Sequence, residues 1–136
     1  MNRGLLLVLV TALAISTGCA STGPRSALAK GTSAEPGLRH VVLFKFKDAA
    51  TPEQVRSIEE AFCALEDKVE VIQDFEWGAD VGVEGLDQGF THCFIVTFAD
   101  EAGRDAYLPH PEHKAFGKLL GPHLDKVLVI DFKPQR

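Results

Sequence analysis

Along Leu38–Lys47 the chain reads LRHVVLFKFK, and alternation sorts it into two faces. One carries His40, Val42, Phe44 and Phe46; the other carries Val41 and Leu43, followed by Lys45 and Lys47. A period of two with β-branched and aromatic residues predicts a strand. The period then changes. Val55, Ile58, Phe62 and Leu65 recur at helical spacing, which predicts an amphipathic helix from about Pro52 to Leu65. Thr51 is placed to cap it, Pro52 to fill the first position, where no amide donor is needed, and Gln54 to close a capping box.

Val69–Val81 reads as a second strand whose regularity breaks at Gly78, and Gly82, Gly85 and Gly89 mark the loop that follows. Thr91–Phe98 is a third strand, with His92, Phe94, Val96 and Phe98 on one face. Asp100 can cap a helix through about Leu108, which Pro109 interrupts. Pro111 opens a last helix that carries His113, Phe116 and Leu120 on one side and ends near Gly121-Pro122. Val127–Phe132, VLVIDF, is the fourth strand.

This order, β-α-β-β-α-β, predicts a ferredoxin-like α+β fold, an antiparallel sheet with both helices on one face. Helices on the His40 and His92 side leave Val41, Leu43, Cys93 and Ile95 pointing the other way, and the fourth strand is apolar on both sides. A second sheet has to cover that face, and the simplest source is another copy of the chain. The expected assembly is a homodimer, a dimeric α/β barrel closed around a shared core.

Composition changes the picture mainly at the N-terminus. Arg3 precedes an apolar run, Gly4–Ile15, too short to span a bilayer as a mature helix, and small residues lead to Cys19. Residues 1–18 are read as a signal peptide. Its end resembles the bacterial lipoprotein signal, in which the Cys is lipidated and becomes the new N-terminus, so Cys19 is the expected lipidation site and the lipid the only contact with a membrane. Ala20–Gly37 is rich in Ser, Gly, Ala, Thr and Pro without apolar periodicity and reads as a linker. The domain is expected over 38–136, in a protein exported to the cell envelope. From Leu38 onward, 11 Lys and Arg stand against 18 Asp and Glu. That acidic excess argues against nucleic-acid partners. An exported compartment permits a disulfide, but Cys63 on the helix and Cys93 on the outer strand face are expected to stay unpaired.

Candidate chemistry concentrates between Gly89 and Leu120. If the strand face of His92 packs on the helix face of His113, then His92, Tyr107 and His113 meet at one edge of the core. A neutral imidazole can take a proton from carbon beside a carbonyl, and a nearby phenol can hold the enolate oxygen. The plainer account makes His113 a core histidine bonded to a backbone carbonyl and Tyr107 a packing residue with its hydroxyl in water. His110 and His113 are three apart, with His40, His92 and His123 elsewhere, yet no HExxH or CxxC pattern is present, and neither metal nor cofactor is expected. The acidic loop of Glu76, Asp80, Glu84 and Asp87 reads as solvated.

The segments RHVVLFKFK, EWGADVGVEGLDQGFTHCFIVTF, RDAYLPHPEHKAF and HLDKVLVIDF together resemble the stress-responsive A/B barrel (Dabb) family. The resemblance covers the chain after the linker and implies the dimeric ferredoxin-like barrel. Within that family, a plant polyketide cyclase closes a linear chain by aldol condensation without a cofactor, using a His base assisted by a Tyr. By resemblance His113, the second His of HPxH, and Tyr107 are the catalytic pair. His40 and His92 match further polar residues of the pocket, with Phe94 and Phe116 as its apolar wall. Three functions follow as expectations: cyclase- or lyase-like chemistry on a carbonyl compound, binding of a small hydrophobic ligand, or a stress-related structural dimer.

Overall fold

The computed structural model describes residues 37–135. The signal peptide, Cys19 and all of the linker but Gly37 lie outside the described residues. Four strands and four helices follow in the order β1 (Leu38–Phe46), α1 (Pro52–Cys63), α2 (Leu65–Lys68), β2 (Ile72–Ala79), β3 (His92–Phe98), α3 (Glu101–Tyr107), α4 (Pro111–Leu120) and β4 (Leu124–Phe132). The strands form one antiparallel sheet in the order β2-β3-β1-β4, which is the ferredoxin-like topology.

The helix starts are those the sequence encodes. The Thr51 hydroxyl accepts the Gln54 amide at 3.3 Å while the Gln54 side chain accepts the Thr51 amide at 2.8 Å, a closed capping box ahead of Pro52. Asp100 accepts the Gly103 amide at 3.0 Å and caps α3. His110 caps α4 by accepting the Glu112 amide on Nδ1 at 3.3 Å, ahead of Pro111. That contact gives His110 a local structural task.

Several boundaries differ from the pattern-based reading. The first helix breaks at Ala64 and resumes as the single turn α2, because Val69 closes that turn through a 2.9 Å bond from its amide to the Leu65 carbonyl. The second strand consequently begins at Ile72 and not at Val69. It also runs unbroken through Gly78, which pairs with Cys93 and has open space where a Cβ would sit. The fourth strand begins three residues before Val127, at Leu124 opposite Phe46, beyond a register shift at Lys45/Phe46.

The core lies between the sheet and the helices. Phe62 of α1 stacks on Phe116 of α4 at 4.4 Å between ring centres and meets Phe94 of β3 at 4.7 Å and Phe44 of β1 at 5.7 Å. Burying such side chains contributes roughly 1.5–3 kcal/mol each, and the stack ties both long helices to the two central strands. On the opposite face Val41 and Leu43 lie beside Ile130 and Leu128 on one side and Ile95 and Cys93 on the other. Among the described residues no helix covers them, and Ile130 and Phe132 are 52% and 45% exposed in the single chain. Cys63 and Cys93 are both free.

Candidate active site

Between α3, α4 and the helix-facing side of β4 lies a cavity of about 310 Å³, within the size range of small-ligand sites. Its polar end is built by a short segment. Tyr107 closes α3, Pro109 and Pro111 bracket the turn, and the His110 amide bonds the Tyr107 carbonyl at 3.0 Å. This folding-back brings the first turn of α4 over the end of α3, so His113 reaches the Leu108 carbonyl, with Nδ1 at 3.0 Å. A carbonyl only accepts, so that nitrogen carries a proton, and when the ring is neutral the lone pair is on Nε2.

The Tyr107 ring lies 4.2 Å from that of His113, centre to centre, and packs on Phe98 at 5.1 Å. Tyr107 is 0% exposed, and its hydroxyl has no hydrogen-bond partner among the described residues. A buried polar group left unpaired costs about 1–3 kcal/mol, so this hydroxyl is held at the expense of stability. Burial pushes its pKa well above the ordinary phenol value, so the group is a proton donor and stays protonated at neutral pH.

His40 completes the cluster, its ring centre 6.0 Å from that of Tyr107. It stands directly opposite Asp131 in the β1–β4 register, and its Nδ1 lies 2.6 Å from the Asp131 carboxylate. Arg104 of α3 donates to the other carboxylate oxygen at 2.9 Å. Burial works against the Asp131 charge, but the bonds from His40 and Arg104 outweigh it and hold the pKa below the usual carboxylate value. The ionised Asp131 only accepts, so His40 donates through Nδ1 and presents Nε2 to the cavity.

The pattern-based site is rearranged by the register. His92 shares the helix-covered face but lies opposite Phe44, four residues along β1 from His40 and so about 13 Å away. There Nε2 donates to Glu59 of α1 at 2.9 Å, Nδ1 is hydrogen-bonded with the Thr91 hydroxyl at 2.8 Å, and the ring packs edge-on against Phe46. His92 therefore does not join Tyr107 and His113; His40 does. Alternation fixes the face of a strand residue and not its height along the strand. Phe116 lines the cavity, whereas Phe94 is fully buried in the core behind Phe44 and Phe62 and lines none of it.

Sequence reasoning missed Asp131 and Arg104. The one signal for Asp131 is its place as the single carboxylate inside the apolar run VLVIDF, a position that asks for a buried partner. Arg104 carries no such signal. A second concavity of about 400 Å³, lined by Leu43, Trp77, Phe90, His92, Cys93 and Ile95 among others, is continuous with the uncovered sheet face. Among the described residues no group of three or more His, Cys, Asp or Glu is arranged to hold a metal ion.

The family model for the Stress responsive A/B Barrel Domain matches residues 38–134. The chain belongs to this family. Stress-response A/B barrel domain-containing protein HS1 of Arabidopsis thaliana is 40% identical over 97 residues, 71% of this chain and 89% of the relative. Olivetolic acid cyclase of Cannabis sativa is 29% identical over 99 residues, 73% of this chain and 98% of that enzyme. Among solved structures, the hydroxynitrile lyase of Passiflora edulis superposes with a TM-score of 0.70 at 25% identity, over 74% of this A/B barrel chain and 95% of the lyase. A dimeric ferredoxin-like protein of unknown function from Thermobifida fusca gives a TM-score of 0.64 at 28% identity, over 72% and 91% of the two chains.

Proposed function

We propose that this A/B barrel domain is an acid–base enzyme of the cyclase or lyase type, acting on a carbonyl compound with its own side chains alone. The carrying observation is the buried, unpartnered Tyr107 hydroxyl beside a His113 ring whose tautomer is fixed by the Leu108 carbonyl. In this reading His113 Nε2 takes a proton from carbon next to the carbonyl, and the Tyr107 hydroxyl donates to the oxygen on which charge develops. The resulting enolate adds to a second carbonyl in the cyclase direction, and the new alkoxide takes up the proton held on His113. In the lyase direction His113 removes the proton of a hydroxyl adduct, the adjacent carbon–carbon bond breaks to leave a carbonyl, and the leaving carbanion takes up the proton. The cyclase and lyase names of two relatives support this class of chemistry.

Exchange of α-hydrogens of an apolar ketone for deuterium, followed by NMR, tests the proton-transfer step without the natural substrate. His113→Ala should lower exchange on the order of a hundredfold, and Tyr107→Phe should lower it with the fold intact. Exchange that survives both substitutions refutes the assignment. A second reading, a non-catalytic carrier of a small hydrophobic ligand, is favoured by the apolar wall of Phe44, Phe62, Phe116, Leu120, Val127 and Val129. It predicts saturable binding with no exchange.

The proposal extends to assembly and place. The uncovered face of Val41, Leu43, Ile95, Leu128 and Ile130 is that of a homodimer, a reading supported by a structural neighbour described as dimeric. Export and a lipid anchor at Cys19 are proposed from the sequence of residues 1–19.

A further inference from the structure

Resting on the homodimer and the cavity proposed above, we infer that each cavity is completed by the other protomer. The loop of residues 80–91, between β2 and β3, roofs the opening that the partner's cavity leaves along β4. Three aliphatic side chains of that loop touch almost nothing in the single chain, Val81, Val83 and Leu86 being 91%, 97% and 75% exposed. Three such groups in one loop mark a contact surface. The receiving surface lies at the opposite edge of the sheet. Val127 and Val129 line the cavity, yet each is 49% exposed, because β4 is an edge strand.

The strand register selects the two-fold axis that joins them. On the uncovered face Leu128, Leu43, Cys93 and Gly78 form one row across the sheet. The next row towards the loop runs from Lys126 and Lys45 to Thr91 and Asp80, whose amide bonds the Thr91 carbonyl at 2.8 Å. An axis along the strands reverses the strand order and keeps the rows level, so β2 lies over the partner's β4. It sets Asp80 over the partner's Lys126, and Lys126 has no ion pair among the described residues. It also sets Gly78 over the partner's Leu128, where open space in place of a Cβ and the concavity of about 400 Å³ admit a leucine. An axis across the strands instead sets Asp80 over the partner's Asp74 and Lys45 over the partner's Arg39, two like-charge pairs. Only the first axis brings the loop to the cavity. The loop starts at Asp80, level with Lys126 and one residue from Val127. Its tip can stand up to about 20 Å from the strand ends, against about 10 Å between packed sheets.

The test has two arms on the purified protein. Asp80 and Lys126 are exposed, so reversing either leaves the fold intact. Asp80→Lys and Lys126→Asp should each weaken the dimer roughly tenfold in sedimentation, and the double variant, with opposite charges again across the axis, should return to within about threefold of wild type. The second arm follows the neutral dye N-phenyl-1-naphthylamine by fluorescence, at protein concentrations where sedimentation shows dimer. Gly117 lines the cavity with open space at its Cβ position, so Gly117→Leu fills the site without a clash and should abolish tight binding. Val83→Asp should weaken binding roughly tenfold. A mixture of these two variants should regain one tight site per mixed dimer, in which Val83 of the filled protomer roofs the open cavity of its partner. A double reversal that binds no better than the single ones, or a mixture that binds dye only as its two parent dimers do, would overturn the inference while leaving the homodimer in place. A wild-type monomer would remove the homodimer and this inference with it. Absent α-hydrogen exchange removes the catalytic reading alone, since dye binding needs no turnover.

Discussion

Replacing Tyr107 with Phe should make the protein more stable and less active at once. The ring keeps its contacts with Phe98, His40 and His113, at 5.1, 6.0 and 4.2 Å between centres. What is lost is a hydroxyl buried without a partner among the described residues, a group that costs about 1–3 kcal/mol. For a domain of this size each kcal/mol corresponds to about 4–8 °C in melting temperature, so a rise of several degrees is expected by calorimetry. The same hydroxyl sets an alkaline limit. Burial raises its folded-state pKa above the unfolded value of about 10. The contribution is therefore fully present below about pH 10 and lost as pH climbs toward the folded pKa, by up to about 1.4 kcal/mol per pH unit. The advantage of Tyr107→Phe over wild type should therefore widen above about pH 10, because ionisation of the phenol in the unfolded chain favours unfolding of the wild type alone. Tyr107 is the one tyrosine of the sequence, so near-ultraviolet tyrosinate absorbance reports it alone. Absorbance should appear only as the chain unfolds. A reversible tyrosinate titration near pH 10 in folded protein, or a variant that melts below wild type at neutral pH, would refute the reasoning.

Leu43→Glu places a charge in the uncovered face beside Leu128 and Cys93, and should yield monomer or insoluble protein, because each large aliphatic buried there contributes roughly 1.5–3 kcal/mol. A well-folded wild-type monomer at micromolar concentration in sedimentation would sink the dimer. Lipid labelling of the full chain in a bacterial host should be present in wild type and lost in Cys19→Ser; equal labelling of the two would remove the anchor assignment.

Much of the fold was legible because its elements carry local, redundant signals. The capping box at Thr51–Gln54, the Asp100 cap and the Pro111 start are encoded within a few residues, and strand alternation assigned the faces of His40, Val42, Phe44, Phe94 and Phe98. The misplaced boundaries have a common cause. Val69 is β-branched and suits a strand, yet it is spent closing α2, and Gly78 weakens a strand pattern without breaking a ladder whose bonds come from the backbone.

The sequence by itself determined the type and order of the elements, the face of each strand residue, and the pairing of Tyr107 with His113, since the two flank the short turn that Pro109 and Pro111 bracket. Tertiary structure alone decided which third histidine joins them. Period-two alternation leaves His40 and His92 equivalent, on the same face of neighbouring strands. The β1–β3 register then sends His92 to Glu59 at one end of the sheet, and the β1–β4 register sets Asp131 against His40 at the other. Strand register arises from packing the whole sheet against its helices, a sum over many weak contacts far apart in the chain, and no short stretch of sequence carries it.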